Sequence, residues 1–188
     1  MLVMPNDPTP FRVMGIDPGT TTLGISVIEW GFVERSFLVQ TAFTVKVLDT
    51  APAWQSTAEY HGNRYARLRQ LHAQVGMALR DYQPHAVCCE APFKGRFVQS
   101  FAALTECVSV IRTAVYEHNP HLPMEMVDPN TAKLAAGAQL KRGGDQKQIV
   151  VDALAQRRDI RWGVDMASLD EHSIDSVAVG LHYLQSIL

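Results

Sequence analysis

Apolar residues along the chain follow two spacings, one typical of strands and one typical of helices. Apolar runs over residues 11–17, 23–30 and 36–48 predict three strands, and the short turns between them favour an antiparallel meander. Apolar residues at helical spacing then predict an amphipathic helix over residues 58–82. The first half of the chain is therefore expected to form three strands and one long helix.

Strands and helices alternate in the second half. The apolar segment at residues 85–91 predicts a fourth strand, and residues 122–129 predict a fifth. Between them, residues 96–118 form a helical pattern that is apolar on nearly every side, so we expect one face to pack on the sheet and another on a second copy of the chain. Further helices are predicted over residues 130–136, 145–157 and 168–188.

This order of elements predicts an α/β fold in which helices flank a five-stranded mixed sheet, with three antiparallel strands followed by parallel strands. The first and fourth strands should lie side by side and parallel. A chain of 188 residues, 47% of them hydrophobic, is sized for one core. We expect residues 1–10 to be a flexible tail and residues 11–188 to be a single domain.

The composition favours a cytoplasmic protein without a membrane anchor. Three cysteines, two of them adjacent in an apolar segment, fit reduced buried thiols better than a disulfide framework. No stretch reaches the roughly 18 apolar residues of a membrane span. The net charge of −2 argues weakly against a nucleic-acid partner, but Lys and Arg residues cluster between Lys133 and Arg161, and such a cluster can form a basic surface.

Two carboxylates follow buried strands. Asp17 ends the first strand and Glu90 ends the fourth. If these strands are parallel neighbours, both carboxylates emerge at the same end of the sheet, where ligands bind in open α/β sheets. Two structural explanations remain open, because Asp17 opens a turn-forming DPGTTT segment and Glu90 could form an ion pair at the sheet edge.

A third and a fourth polar residue come from the terminal helix. The segment SLDE predicts a capping box in which Ser168 and Glu171 satisfy the first amides of that helix. His172 and Asp175, three residues apart, lie about 60° apart around the helix axis and therefore share a face. Asp170 points elsewhere, whereas Glu171, four residues before Asp175, remains an alternative to His172.

Four segments together resemble the signature blocks of RuvC-type Holliday junction resolvases, a family with the ribonuclease H-like fold. The segments are GIDPGTTTLGISVIE, CCEAPF, VDPNTAKLAAGAQLKRGGDQKQIV and EHSIDSVAVGLHY, in the family's order and spacing. The third block is most similar to phage-type members. The resemblance covers residues 13–183 and implies a DNA endonuclease that acts in recombination and repair, in the cytoplasm of a bacterium or a phage-infected host.

The resemblance also implies roles for individual residues. Asp17, Glu90 and Asp175 match the family's catalytic carboxylates, and His172 takes a position that is Asp in many members and His in others. All four would bind metal, and the imidazole shifts the preference from Mg²⁺ toward Mn²⁺. Lys147 matches a catalytic lysine. DNA-binding residues are expected among Lys133, Lys141, Arg142, Lys147, Phe93, Phe97 and Arg96.

The chemistry implied is two-metal hydrolysis of a phosphodiester. Two divalent ions, Mg²⁺ or Mn²⁺, about 3.5–4 Å apart would activate water and stabilise the leaving oxygen. We expect Asp17 to bridge them, Glu90 to bind one, and His172 with Asp175 to bind the other. A homodimer, paired through the helix around residues 97–118, would nick a four-way junction symmetrically and leave 5′-phosphate and 3′-hydroxyl ends.

Three other functions are weighed against this one. The first is a less selective ribonuclease H-like nuclease that acts on forks, flaps, other branched DNA or RNA. The second is a sugar-kinase or actin-type ATPase, since GIDPGTTTLGIS is similar to the phosphate-binding turn of that superfamily, but the chain is too short for its duplicated domains. The third is a DNA-binding module without catalysis, which an Asp17→Asn variant would distinguish from a nuclease.

Overall fold

A computed structural model describes residues 9–48, 52–93, 98–139 and 146–188 and contains a six-stranded mixed sheet. In spatial order the strands are β5, β4, β1, β2, β3 and β6. Their bounds are β1 (Phe11–Asp17), β2 (Thr22–Gly31), β3 (Ser36–Lys46), β4 (Ala86–Glu90), β5 (Met124–Val127) and β6 (Ile160–Trp162).

Helices cover both faces of this sheet. They are α1 (Gln55–His61), α2 (Asn63–Tyr82), α3 (Val98–His118), α4 (Pro129–Ala135), α5 (Gln146–Gln156) and α6 (Glu171–Ile187). Two short 3₁₀ turns precede α1 and α6, at Pro52–Trp54 and Met166–Ser168. In the described part of the chain, no helix has the length and apolar character that crossing a membrane would require.

The predicted fold class is confirmed, and the strand count is corrected. Strands β1, β2 and β3 form the antiparallel meander, and β4 and β5 extend it in parallel to β1. The sixth strand, β6, was not predicted and pairs in parallel with β3, with Ile160 opposite Phe37. A three-residue strand is too short to show the alternation from which strands are predicted.

The prediction of a single helix over residues 58–82 is corrected, because the structure contains two helices in this part of the chain. Gly62 separates α1 from α2 and has a φ of 85°, in the left-handed region that glycine adopts at little cost. The chain therefore changes direction at Gly62, and only α2 packs its apolar face on the sheet. The buried residues of α2 include Leu68, Leu71, Val75 and Leu79, in agreement with the predicted spacing.

Each face of the sheet has its own hydrophobic core. The first lies between the sheet and helices α4, α5 and α6 and includes Val13, Ile28 and Cys88. The second lies between the sheet and helices α2 and α3 and includes Met14, Ile25 and Cys89. Successive residues of a strand point to opposite faces, so the adjacent cysteines belong to different cores. All three cysteines are free and buried.

Helix α3 is less apolar on its outer side than predicted. Ile111 is 0% exposed and Val108 is 8% exposed, and both pack in the core against the sheet and α2. The sequence pattern makes these two residues candidates for the expected contact with a second copy, and the structure excludes both because the chain's own core buries them. One row of exposed residues along the outer side of α3 has alternating spacings of four and three. This row is here called the α3 stripe: Val98, Ala102, Thr105, Ser109, Arg112 and Tyr116.

Candidate active site

Strand register brings the two predicted carboxylates to one end of the sheet. Strands β1 and β4 pair in parallel with Ile16 opposite Cys89, and the next residue of each strand is Asp17 or Glu90. The alternation of each strand places both carboxylates on the face covered by α6, because Val13 and Cys88 point into the core beneath that helix. The predicted adjacency of the first and fourth strands is confirmed.

Glycines allow α6 to lie unusually close to this sheet. A Cβ atom on Gly15 would lie 2.2 Å from the carbonyl oxygen of Ser176, and one on Gly24 would lie 1.9 Å from that of His172. A side chain at either position would push the helix away. Buried Ser26 of β2, directly opposite Gly15, donates its hydroxyl to the Ser176 carbonyl at 2.8 Å. The start of α6 is therefore held against the strand ends that carry the carboxylates.

The cap of α6 differs from the one predicted. Asp170 is the N-cap residue, and its Oδ1 accepts hydrogen bonds from the backbone N–H and the hydroxyl of Ser173 at 3.0 and 2.8 Å. Thr44 of β3 donates its hydroxyl to the same oxygen at 2.5 Å. Ser168 lies in the preceding 3₁₀ turn, so the predicted capping box of Ser168 and Glu171 is wrong.

His172 connects the ends of the first two strands. Its Nδ1 lies 2.8 Å from Oδ2 of Asp17, and its Nε2 lies 3.0 Å from Oγ1 of Thr22. Asp17 is the last residue of β1 and Thr22 is the first residue of β2. Glu171, the alternative to His172, is exposed. The direct contact with Asp17 favours His172 as the functional residue.

Burial and mutual repulsion raise the pKa of both strand-end carboxyls. Desolvation raises the pKa of Asp17 to about 6, opposed by the hydrogen bond from His172 and reinforced by the charge of Asp175. Desolvation raises the pKa of Glu90 to about 8, reinforced by the charges of Asp17 and Asp175. Burial and the neighbouring negative charges therefore disfavour simultaneous ionisation of Asp17 and Glu90.

Lys133 partly offsets this concentration of negative charge. It lies on α4, and its charge lowers the pKa of both Asp17 and Glu90. The cap of α4 positions it, because Asp128 accepts hydrogen bonds from the amides of Asn130 and Thr131 at 2.9 and 3.3 Å. Lys133, predicted only as a DNA-binding residue, therefore stands beside the acidic cluster.

The structure describes only some of the other residues that were predicted to bind DNA. Phe93, three residues after Glu90, is 60% exposed. Lys147 belongs to α5, and its catalytic role stays a prediction. The predictions for Arg96, Phe97, Lys141 and Arg142, and most of the predicted tail, fall outside the described residues.

The donor set suits a divalent cation, although the side chains are not gathered around one point. Carboxylate oxygens are the ligands that hard divalent ions prefer, and an imidazole adds affinity for Mn²⁺. Two desolvated carboxyls with raised pKa values are groups that such a cation would stabilise. Among the described residues, no three His, Cys, Asp or Glu side chains are arranged to hold one ion. Asp17 and His172 instead contact each other.

Two residues of the site were missed from the sequence. Thr22 contacts His172, and Asp170 fixes the first turn of α6. Strand alternation could have indicated Thr22, because Thr22, Gly24 and Ser26 are spaced by two and share the face that α6 covers. No local pattern could have indicated the bond from Thr44 to Asp170, because 126 residues separate them.

Comparisons of the sequence with known proteins indicate one family. A family model described as crossover junction endodeoxyribonuclease RuvC matches residues 13–168. The chain is 30% identical over 174 residues to the RuvC crossover junction endodeoxyribonuclease of Myxococcus xanthus, covering 92% of this chain and 80% of that protein. The Bacteroides fragilis protein of the same name is 25% identical over 174 residues, covering 92% and 82%.

A solved structure has the same fold. The T. thermophilus RuvC protein in complex with its Holliday junction substrate superimposes with a TM-score of 0.64 and 21% identity over 93% of both chains. The family model's match ends before α6. His172 and Asp175 therefore lie outside the segment that the family model matches.

Proposed function

Because the chain belongs to the RuvC family of crossover junction endodeoxyribonucleases, we propose that it resolves four-way DNA junctions by metal-dependent nicking. One observation carries the proposal for this chain. Asp17 and Glu90 end two parallel strands that lie far apart in sequence, and burial together with the charge of Asp175 on α6 raises the pKa of both carboxyls. Burying several carboxyl groups together lowers the stability of the fold. A metal-dependent active site would explain why the chain keeps them.

The proposed metal ligands are Asp17, Glu90, His172 and Asp175, with Asp17 shared between two ions of Mg²⁺ or Mn²⁺. When bound, the ions supply a polarised water and stabilise charge on the leaving oxygen. The protein's own side chains supply the negative potential that attracts the ions. The raised pKa of Glu90, about 8, means that binding must displace a proton from this carboxyl at neutral pH.

The surroundings of the acids fit a DNA backbone. Lys133, beside Asp17 and Glu90, is the described cation best placed to contact a phosphate near the site. Exposed Phe93, just beyond β4, offers an aromatic ring for stacking on an unpaired base. Arg157 is less suited to DNA binding, because it already donates hydrogen bonds to Asp159 and to the Ala135 carbonyl.

Helix α5 supports the predicted role of Lys147. Gln148, the next residue, lines a cavity of 130 Å³ together with Asp170, Glu171 and Asp175. The first turn of α5 therefore lies on the same side of the molecule as the acidic cluster. We propose that Lys147 stabilises negative charge on the scissile phosphate, and that the products carry 5′-phosphate and 3′-hydroxyl ends. The three free buried cysteines suit action in the reducing cytoplasm.

Symmetric nicking of two strands requires two active sites, so we propose a homodimer. The α3 stripe is the proposed contact, because its spacings of four and three are those of a helix seam. Small residues at its centre, Ala102, Thr105 and Ser109, would let two α3 helices approach closely. The stripe begins at Val98, five residues after exposed Phe93.

A Ser109→Arg variant is expected to be monomeric. Burying an unpaired charge at a two-fold contact costs about 3 kcal/mol or more, which corresponds to a rise in the dimer dissociation constant of at least about a hundredfold. Sedimentation velocity over a concentration series measures this constant. Ser56→Arg, a matched change at an exposed position of α1, should leave the dimer intact. A fully dimeric Ser109→Arg protein would show that the α3 stripe is not the interface.

Cleavage of a panel of DNA substrates tests the function itself. Labelled four-way, three-way, forked and linear DNA, and an RNA–DNA hybrid, are incubated with Mg²⁺ or Mn²⁺ and the cuts are mapped. We expect paired nicks in the four-way junction, ligatable without further processing, and little cleavage of linear DNA. Equal cleavage of forks, flaps or the hybrid would favour the less selective nuclease, and no cleavage with either metal would refute the proposal.

A further inference from the structure

His172 uses both ring nitrogens in contacts that fix its orientation. Nδ1 pairs with Asp17 at 2.8 Å and Nε2 pairs with Thr22 at 3.0 Å. Its backbone packs closely against β2, because the His172 carbonyl lies in the space that a side chain on Gly24 would need. A rotation of the ring by half a turn would place carbon atoms where both nitrogens now lie. The two hydrogen bonds together therefore select one ring orientation.

The partners also select one tautomer. An ionised Asp17 can only accept a hydrogen bond, so Nδ1 carries the proton. A neutral imidazole has one N–H donor, and Nε2 is then an acceptor, to which the Thr22 hydroxyl donates. Thr22 thus stabilises the form of His172 whose Nε2 keeps its lone pair. A histidine that binds metal through one nitrogen commonly donates the N–H of the other to a carboxylate, the arrangement seen at Nδ1.

We propose that Thr22 is a positioning residue that holds the His172 ring with Nδ1 on Asp17 and Nε2 available as a lone-pair donor. Thr22 does not itself contact the reacting atoms in this proposal. It acts through His172, and a hydroxyl can release Nε2 by rotating about its own bond. Thr22 lies at the start of β2 on the face that α6 covers, and His172 is the one partner recorded for its hydroxyl in the described structure. The consequence for nicking rests on the proposed nuclease function, whereas the ring contact does not.

The ring nitrogens of metal-free protein provide the first test. Nitrogen-15 NMR at about pH 8, where an ordinary imidazole is neutral, distinguishes protonated, hydrogen-bonded and free ring nitrogens. A His172→Gln variant identifies the His172 signals among the 7 histidines. We expect wild-type protein to show a protonated Nδ1 and a hydrogen-bonded, unprotonated Nε2. Thr22→Val should move the Nε2 signal to that of a nitrogen without a hydrogen bond and add a second ring orientation.

Nicking of a four-way junction provides the second test. Thr22→Val should lower the rate at saturating DNA by about tenfold, the lower end of the loss typical for residues that orient a metal ligand, with junction affinity unchanged. Thr22→Ser keeps the hydroxyl and should restore both the spectrum and the rate. Thr21→Val, the same change at the exposed neighbour, should leave the His172 spectrum unaltered. Thr22→Ala repeats the test if the valine variant does not fold.

Each combination of results decides the proposal. An unchanged His172 spectrum in Thr22→Val overturns it, whatever the rate, because Thr22 would then not act through the ring. A changed spectrum with a rate within about twofold of wild type overturns the positioning role. If wild-type protein does not nick junctions at all, the proposed function fails, and the spectra alone still decide whether Thr22 orients His172.

Discussion

Asp17→Asn is expected to reduce nicking of a four-way junction by on the order of a thousandfold, at the upper end of the loss from removing one preorganised electrostatic group. Asp17 is the proposed shared ligand of both ions, and asparagine offers only a neutral amide oxygen in its place. That amide oxygen can still accept a hydrogen bond from the Nδ1–H of His172, as Oδ2 of Asp17 does at 2.8 Å in the wild-type protein. The arrangement of the site should therefore survive while its charge is lost.

Junction binding should be equal to or tighter than that of wild type in this variant. The substitution removes one of the negative charges that face the DNA phosphates, while Lys133 remains. Single-turnover nicking and gel-shift titration measure the two properties on the same junction. Asp81→Asn, the same change at an exposed residue of α2, controls for surface charge. Retained nicking would remove Asp17 from the site, and lost binding would indicate that Asp17 shapes the DNA surface instead.

The carboxylates on the strands could be predicted because their placement follows from local rules. Buried strands that end in Asp17 and Glu90 are visible in the sequence, and the order of elements places β1 beside β4. The spacing of His172 and Asp175 follows from helix geometry alone. These residues needed no knowledge of contacts between distant side chains, and the structure brings their elements together as expected.

Features that depend on distant contacts were mispredicted. The segment SLDE satisfies the capping-box pattern, but Thr44 of β3 stabilises Asp170 as the cap instead. Strand β6 forms by pairing with the free edge of β3. Its three residues are too few to show the alternation of apolar and polar residues that predicts a strand. The face of α3 that is free for a contact was mispredicted for a similar reason, since a helical pattern that is apolar on many sides does not tell which face the chain's own core covers. Burial of Ile111 decides that question only in three dimensions.

The stability of the metal-free protein should fall as pH rises through the titration of Glu90. Its pKa is about 8 in the folded protein and 4.5 in the reference state that represents the unfolded chain. Between these values the folded protein binds more protons than the unfolded chain, so the free energy of unfolding decreases with rising pH. The contribution of the protonated carboxyl is fully present below about pH 4.5 and lost above about pH 8. Asp17, with a pKa of about 6, adds to the same trend.

Glu90→Gln is consequently expected to stabilise the metal-free protein at high pH while abolishing nicking. Glutamine keeps the shape of the side chain and cannot ionise. One pKa unit corresponds to about 1.4 kcal/mol, so avoiding ionisation of Glu90 should raise the free energy of unfolding by on the order of 2–4 kcal/mol above pH 8 and by little near pH 5. Urea unfolding in a chelator at several pH values measures this difference.

Two comparisons separate this effect from a general change in stability. Glu59→Gln, at an exposed position of α1, should follow wild type at every pH. Mg²⁺ should raise the stability of wild-type protein at high pH more than that of Glu90→Gln. Ligand binding to the folded state stabilises it by an amount that increases with the logarithm of the affinity, and the variant lacks one of the carboxylate ligands. A constant difference between wild type and Glu90→Gln from pH 5 to 9 would contradict the buried-acid explanation. If Glu90→Gln is more stable than wild type and does not nick DNA, the ionisable carboxyl lowers the stability of the fold and is needed for activity. Such a trade of stability for activity is common at active sites.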